Sequence, residues 1–152
     1  MKILIIEDDP TSLKLASEVL QAGGHVVMLA ITADQAIYSL KAVKPDAILL
    51  DLRLPGIKGL AVARQCREDP ATRDIAIIAI TAFSLEYGRD KAFEAGCDGY
   101  ILKPINTRTL MDQIKDVVAT KAVLATWDHP PRQLIEQAAS VQATTPLMPA
   151  SP

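Results

Sequence analysis

Four apolar runs in this chain each lead into polar side chains able to do chemistry. Ile3 to Ile6 is followed by Glu7, Asp8 and Asp9; Asp46 to Leu50 by Asp51; Ile75 to Ile80 by Thr81; and Gly99 to Leu102 by Lys103. If these runs are neighbouring parallel strands, the polar groups converge on one edge of a sheet, the edge at which open α/β sheets bind ligands. Two carboxylates ~4 Å apart repel by about 4 kcal/mol at an effective dielectric of ~20. A cluster of three therefore calls for a cation or a proton. A hard divalent ion held by oxygens, with waters retained, is the preference of Mg²⁺. Such a site suits phosphoryl transfer to a carboxylate, with Asp51 as nucleophile. A bound Mg²⁺ would screen the phosphoryl oxygens. Lys103 and the Thr81 hydroxyl would each contact one of those oxygens.

The elements that must position these groups are legible in order. Ile3–Ile6 reads as a buried strand. Asp9 caps a helix with Pro10 at its first position, and Gly23-Gly24 ends it. His25 to Ala30 is a second strand. Thr32-Ala33-Asp34-Gln35 fits a capping box opening a helix to about Val43, closed by Lys44-Pro45. Asp46–Asp51, bounded by Pro55-Gly56, is a continuous apolar run of the kind that a strand buried on both faces shows. A helix follows over about Gly59–Arg67, and Pro70 breaks it. After the strand Ile75–Ile80, Ser84 caps a helix that reaches Ala95 and stops at Gly96. Gly99–Leu102 is a short strand. Asn106 or Thr107 caps a last helix, with Leu110, Ile114, Val117 and Val118 on its apolar face. Five strands alternating with five helices predict an α/β fold: a flavodoxin-like, doubly wound five-stranded parallel sheet in the order 2-1-3-4-5.

Composition bounds the function. The chain has 152 residues, 49% of them hydrophobic, enough for one cored domain, and a net charge of −2 gives no reason to expect nucleic-acid binding. Cys66 and Cys97 have neither metal nor redox spacing and read as reduced thiols of a cytoplasmic protein. The apolar run after Met1-Lys2 is too short for an export signal, and no stretch approaches membrane-spanning length. Residues 1–120 read as the domain and residues 121–152 as a C-terminal extension, largely disordered. That extension holds five of the ten prolines, a possible short helix over Arg132–Val141, and Trp127, which either docks on the domain or stands exposed.

Glu7-Asp8, Asp51 with Pro55-Gly56, Thr81-Ala82 and Gly99-Tyr100-Ile101-Leu102-Lys103-Pro104 resemble the receiver domain of bacterial two-component response regulators, over about Lys2 to Ala119. Each motif alone is weak; their order and spacing on successive strands are specific. The resemblance implies a stand-alone switch in which Asp51 accepts a phosphoryl group from a sensor histidine kinase or phosphotransfer protein. It implies that Asp8 ligates Mg²⁺ directly, Glu7 commonly through water, and the Arg53 backbone carbonyl completes the site with Asp51. Thr81 and Tyr100 are then the switch pair. Lys103 binds the phosphoryl group from a Lys-Pro bond that is usually cis. The fourth helix, fifth strand and fifth helix form the face read by a downstream protein, with no direct DNA binding and no membrane contact expected. Arg53 and Phe83 flank the path of the water that hydrolyses the phosphoryl group. The acidic pair begins with Glu rather than the commoner Asp, a variant known in the family.

Other readings fit less well. Taken singly, Thr81 is a β-branched strand terminus, Lys103 a solvated cation, Tyr100 a core ring and Asp51 a strand-end turn residue. A phosphatase of the haloacid dehalogenase type needs a second acid two residues after its nucleophile, where this chain has Arg53. A flavodoxin-like cofactor binder needs a phosphate-cradling loop after the first strand, where Glu7-Asp8-Asp9 would repel a phosphate. The resemblance points to a signalling protein rather than a dedicated enzyme.

Overall fold

The computed structural model describes residues 1–54, 59–82 and 86–126. The expected elements in Pro55-Gly56, Phe83, Ser84, Trp127 and Arg132–Val141 lie outside these residues. Five strands, β1 (Lys2–Ile6), β2 (Val26–Ala30), β3 (Ala47–Asp51), β4 (Ala76–Thr81) and β5 (Gly99–Leu102), alternate with five helices. The helices are α1 (Pro10–Ala22), α2 (Ala33–Ala42), α3 (Gly59–Glu68), α4 (Glu86–Glu94) and α5 (Leu110–Leu124). All strand pairs are parallel and the order is β2-β1-β3-β4-β5, as the alternation predicts.

Both faces of the sheet are buried. Leu4, Ile6, Ile48, Leu50, Ile77 and Ala79 face one core layer with Val62, Ala63 and Cys66 of α3. Ile3, Ile5, Leu49, Ile78 and Ile80 face the other with Ala16 and Leu20 of α1 and Leu110, Ile114 and Val117 of α5. This two-sided burial is why β3 and β4 read as unbroken apolar runs rather than as alternations. Edge strand β2 differs: Val26, Leu29 and the following Ile31 are exposed. Cys66 and Cys97 are free thiols within the first layer, and burial pushes Cys97 up to about 12.

Local chemistry sets the helix ends. Asp9 accepts the Ser12 backbone N–H at 2.9 Å with Pro10 at the first turn, as expected for α1. Gly24, at φ +84°, and Gly96, at φ +105°, occupy the left-handed region after α1 and α4, where a side chain would be strained. Thr32 accepts the Gln35 N–H at 3.1 Å, one half of the expected capping box. The other half is displaced: the Gln35 side chain accepts from Ile31 rather than from Thr32.

Two expectations change. α5 begins at Leu110, not at a cap on Asn106 or Thr107, because Asn106 is used in a turn. Its side chain accepts the Arg108 N–H at 2.9 Å and its carbonyl accepts Leu110 N–H at 3.0 Å. α5 also runs to Leu124, so residues 121–124 continue the domain's last helix rather than opening the extension.

Candidate functional site

Strand register brings the predicted polar residues together. Ile6 is the register partner of Leu50, so Glu7 and Asp51 emerge side by side from β1 and β3. Asp51 is the partner of Ile80 and Thr81 of Leu102, which sets Thr81 and Lys103 along the same edge. Lys103 N–H donates to the Thr81 carbonyl at 2.8 Å, extending the β4–β5 ladder past its last pair. The Lys103–Pro104 peptide is cis.

The result is an ionic cluster closed on one side and open on the other. Glu7 and Asp51 are each 5% exposed, whereas Asp8 is exposed. One carboxylate oxygen from each of Glu7, Asp8 and Asp51 can be chosen so that all lie within 4.8 Å of one another. The Lys103 ammonium reaches in between, 2.8 Å from Glu7 Oε2 and 3.3 Å from Asp51 Oδ2. Asp51 Oδ1 accepts the Arg53 backbone N–H at 2.9 Å, which orients the carboxylate. Glu7 Oε1 accepts the Asp9 N–H at 3.2 Å.

Among the described residues, three carboxylates meet one ammonium, an excess of negative charge. Glu7 registers this. Burial, the largest influence, pushes its carboxyl above the ordinary Glu value; Lys103 pulls it down, and the adjoining Asp51 carboxylate pushes it up again. Burial alone would depress the Lys103 ammonium, but its hydrogen bond to Glu7 and the charges of Asp51 and Glu7 outweigh that and hold it above its ordinary value. A set of oxygen donors with excess negative charge, part buried and part open to water, fits a hard divalent cation that keeps several waters.

The structure separates the three consecutive acids. Asp9 is the helix cap, and its hydrogen bonds from Ser12 hold its carboxyl below the ordinary value. Asp8 is the acid left to solvent at the mouth of the cluster. Thr81 is fully buried at the end of β4. Tyr100 is 4% exposed and packs in the core layer with Ala79, Ala92 and Ala95, and burial pushes its phenol above its usual range. Arg53 is exposed, and Phe83 lies outside the described residues.

Two features escaped the sequence reading. Gly59 opens α3 directly against the end of β3: a Cβ there would meet the Asp51 carbonyl oxygen at 2.5 Å and Leu52 Cα at 2.7 Å. Only a residue without a side chain permits this approach, so Gly59 fixes how tightly the chain folds back beneath Asp51. The glycine was visible; the long-range contact that requires it was not. The second is a separate ionic knot at the opposite, amino-terminal end of the strands. Arg67 donates to Asp98 Oδ2 and to the carbonyls of Arg73, Ile75 and Gly96. Asp98 also accepts from Lys121 at 2.9 Å and from the Ile77 N–H at 2.9 Å.

The profile of the response regulator receiver domain matches residues 3–115. The chain belongs to that family. It is 31% identical over 113 residues to the polar-differentiation response regulator DivK of Brucella anthropi, a match covering 74% of this chain and 92% of that protein. A crystal structure of a putative response regulator from Chloroflexus aurantiacus superposes with a TM-score of 0.75 at 30% identity, covering 78% of this chain and 97% of that one. The receiver domain of a sensor histidine kinase from Pseudomonas aeruginosa superposes with a TM-score of 0.72 at 31% identity, over 78% of this chain and 97% of that one. That crystal structure has a magnesium ion coordinated in its active-site cleft. As a receiver domain, the chain is a phosphorylation-controlled signalling switch of a two-component system. Among the described residues no helix is long and apolar enough to cross a membrane.

Proposed function

We propose that Asp51 is the phosphoacceptor of this receiver and that Glu7, Asp8, Asp51 and the Arg53 carbonyl hold Mg²⁺ beside it. The observation that carries the reading is the convergence of Glu7, Asp8 and Asp51 within 4.8 Å, with the Lys103 ammonium between two of them. A carboxylate oxygen of Asp51 attacks the phosphorus of a phosphohistidine. The P–O bond forms as the P–N bond breaks, and the departing imidazole takes up a proton. The Arg53 N–H on Asp51 Oδ1 fixes the carboxylate plane during attack. Bound Mg²⁺ supplies charge stabilisation to the phosphoryl oxygens in flight. Lys103 exchanges its contact with Asp51 for a phosphoryl oxygen, and Glu7 keeps it aligned.

The phosphoryl group adds about −1.5 to −2 charges, as it does on Ser, Thr or Tyr. The Thr81 hydroxyl then donates to it, and the inward position of Tyr100 becomes the favoured one. The equilibrium shifts at the face built by α4, β5 and α5, which a downstream protein reads. The donor is a sensor histidine kinase or phosphotransfer protein, the site of action is the cytoplasm, and the chain is a binding switch rather than a dedicated enzyme. The extension after residue 126 stands outside the transfer unit.

Incubation with acetyl phosphate and Mg²⁺ tests this. Mass spectrometry is expected to find one alkali-labile phosphoryl group on the wild type and none on Asp51→Asn. Equal uptake by the variant overturns the assignment.

A further inference from the structure

The Glu7 carboxylate is held from two sides. Its Oε2 accepts the Lys103 ammonium at 2.8 Å, and its Oε1 accepts the Asp9 backbone N–H at 3.2 Å. Lys103 in turn reaches Asp51 Oδ2 at 3.3 Å. The peptide that supplies the second hold is itself fastened to α1. The Asp9 side chain accepts the Ser12 N–H at 2.9 Å, and the Asp9 carbonyl accepts the Leu13 N–H at 3.0 Å. Pro10 confines the residue before it to extended backbone, and Asp9 lies there at φ −77° and ψ 117°. One line of hydrogen bonds thus runs from the first turn of α1 through Asp9 and Glu7 to the ammonium that touches Asp51.

We propose that Asp9 is a positioning residue for Lys103: its cap on α1 fixes the N–H that holds Glu7, and Glu7 holds the ammonium beside Asp51. Glutamate and lysine are among the side chains that lose most rotamer freedom on being fixed. An ion pair between two such chains leaves them free to shift together, and the Asp9 N–H ties that pair to the backbone. Two routes lead from Asp9 to Lys103, and they require different things. The Asp9 carboxylate is near enough for the Lys103 charge to act on it, but Asp9 is exposed, so water and salt screen that attraction. The hydrogen-bonded route passes through Glu7, which is buried. The geometry therefore favours the cap over the charge. The consequence for phosphoryl transfer rests on the reading given above, in which Lys103 moves to a phosphoryl oxygen. An ammonium that Glu7 no longer aligns meets that oxygen in fewer productive geometries.

The full chain, free of metal and phosphate, gives the direct readout: the side-chain ammonium NMR signal of Lys103, which persists only where the group is held and shielded from exchange with water. The wild type is expected to show it. Asp9→Ala removes the acceptor for the Ser12 N–H and is expected to lose the signal to solvent exchange. Asp9→Asn keeps a cap of equal quality without the charge and is expected to retain the signal. Asp9→Gly also lacks the acceptor but disturbs a helix start less than Ala does. It is expected to follow Asp9→Ala and serves if that variant fails to fold. With Mg²⁺ and acetyl phosphate, the phosphorylation rate is expected to fall on the order of tenfold in Asp9→Ala and to stay near the wild-type value in Asp9→Asn. A role confined to helix stability would lower the helical circular dichroism of Asp9→Ala and leave the Lys103 signal in place, which overturns the proposal. Loss of the signal in Asp9→Asn also overturns it, by assigning the effect to charge, and so does its absence from the wild type. The signal needs neither phosphoryl group nor metal, so its failure leaves the Asp51 assignment untouched, and a failure of phosphorylation leaves this readout intact.

Discussion

The two ends of the sheet carry two ionic clusters built on opposite plans. At the amino-terminal end one acid, Asp98, meets two cations, Arg67 at short range and Lys121 at 2.9 Å, together with the Ile77 N–H. Arg67 spends its remaining donors on three backbone carbonyls. Every charge there has partners within the chain, and the knot ties α3, the start of β4, the α4–β5 turn and α5 together. At the carboxyl end three acids share one ammonium, and Asp8 faces water. The first cluster is balanced by its own partners; among the described residues the second keeps more acids than cations. Functional ionic sites differ from structural ones less in how many charges they gather than in whether the sum is left open.

The largest expected effect separates the two clusters by stability. Asp98→Ala removes the acceptor shared by Arg67, Lys121 and Ile77, in a site where the ion-pair side chains are 20–25% exposed. It is expected to cost about 2–3 kcal/mol in denaturant unfolding. Asp51→Asn, although more deeply buried, is expected to stay within about 0.5 kcal/mol of wild type, because lost attraction to Lys103 is offset by relief of repulsion from Glu7. A comparable loss in both variants would erase the distinction.

A second comparison divides neighbouring acids. By calorimetry, Asp8→Ala is expected to weaken Mg²⁺ binding by at least ~10-fold, as loss of a direct ligand should, and Asp9→Ala by much less. Asp9→Ala is expected to destabilise α1 instead, through loss of the bond to Ser12. Equal losses of affinity would mean that the cap and the ligand are not separate roles.

The smallest effect is a slope. With the Glu7 carboxyl raised above its ordinary value of 4.5, the folded chain holds this proton over a range of pH in which the unfolded chain has released it. Stability from this group is therefore present at low pH and declines as pH rises from 4.5 through the raised value. In metal-free buffer, Glu7→Gln is expected to remove that decline, so that its stability relative to wild type rises with pH across the window. Parallel profiles for the two proteins would show that Glu7 is not under strain from its neighbours.

Much of this was legible beforehand, for physical reasons that also explain the rest. Strands buried on both faces announce themselves as apolar runs, so each strand was located to within a residue or so, and with them the residues that follow: Glu7, Asp51, Thr81 and Lys103. The cap on Asp9 was readable because capping is local. The start of α5 was misplaced because Asn106 serves equally well as a cap or a turn residue, and only the backbone shows which. Gly59 and the Arg67–Asp98–Lys121 knot were missed because both depend on contacts between distant segments, to which no periodicity corresponds.

Edge strand β2 has a practical consequence for anyone concentrating this protein. From His25 to Ala33 the chain carries no Lys, Arg, Asp or Glu, and Val26, Leu29 and Ile31 stand exposed along a strand paired on one side only. Edge strands ordinarily carry a charge, a proline or a bulge that discourages pairing with another molecule, and this one has neither a charge nor a proline. With a net charge of only −2, long-range repulsion between molecules adds little protection. Colloidal stability in concentrated solution is therefore limited at β2, and a lysine in place of Leu29 is the surface change that addresses it.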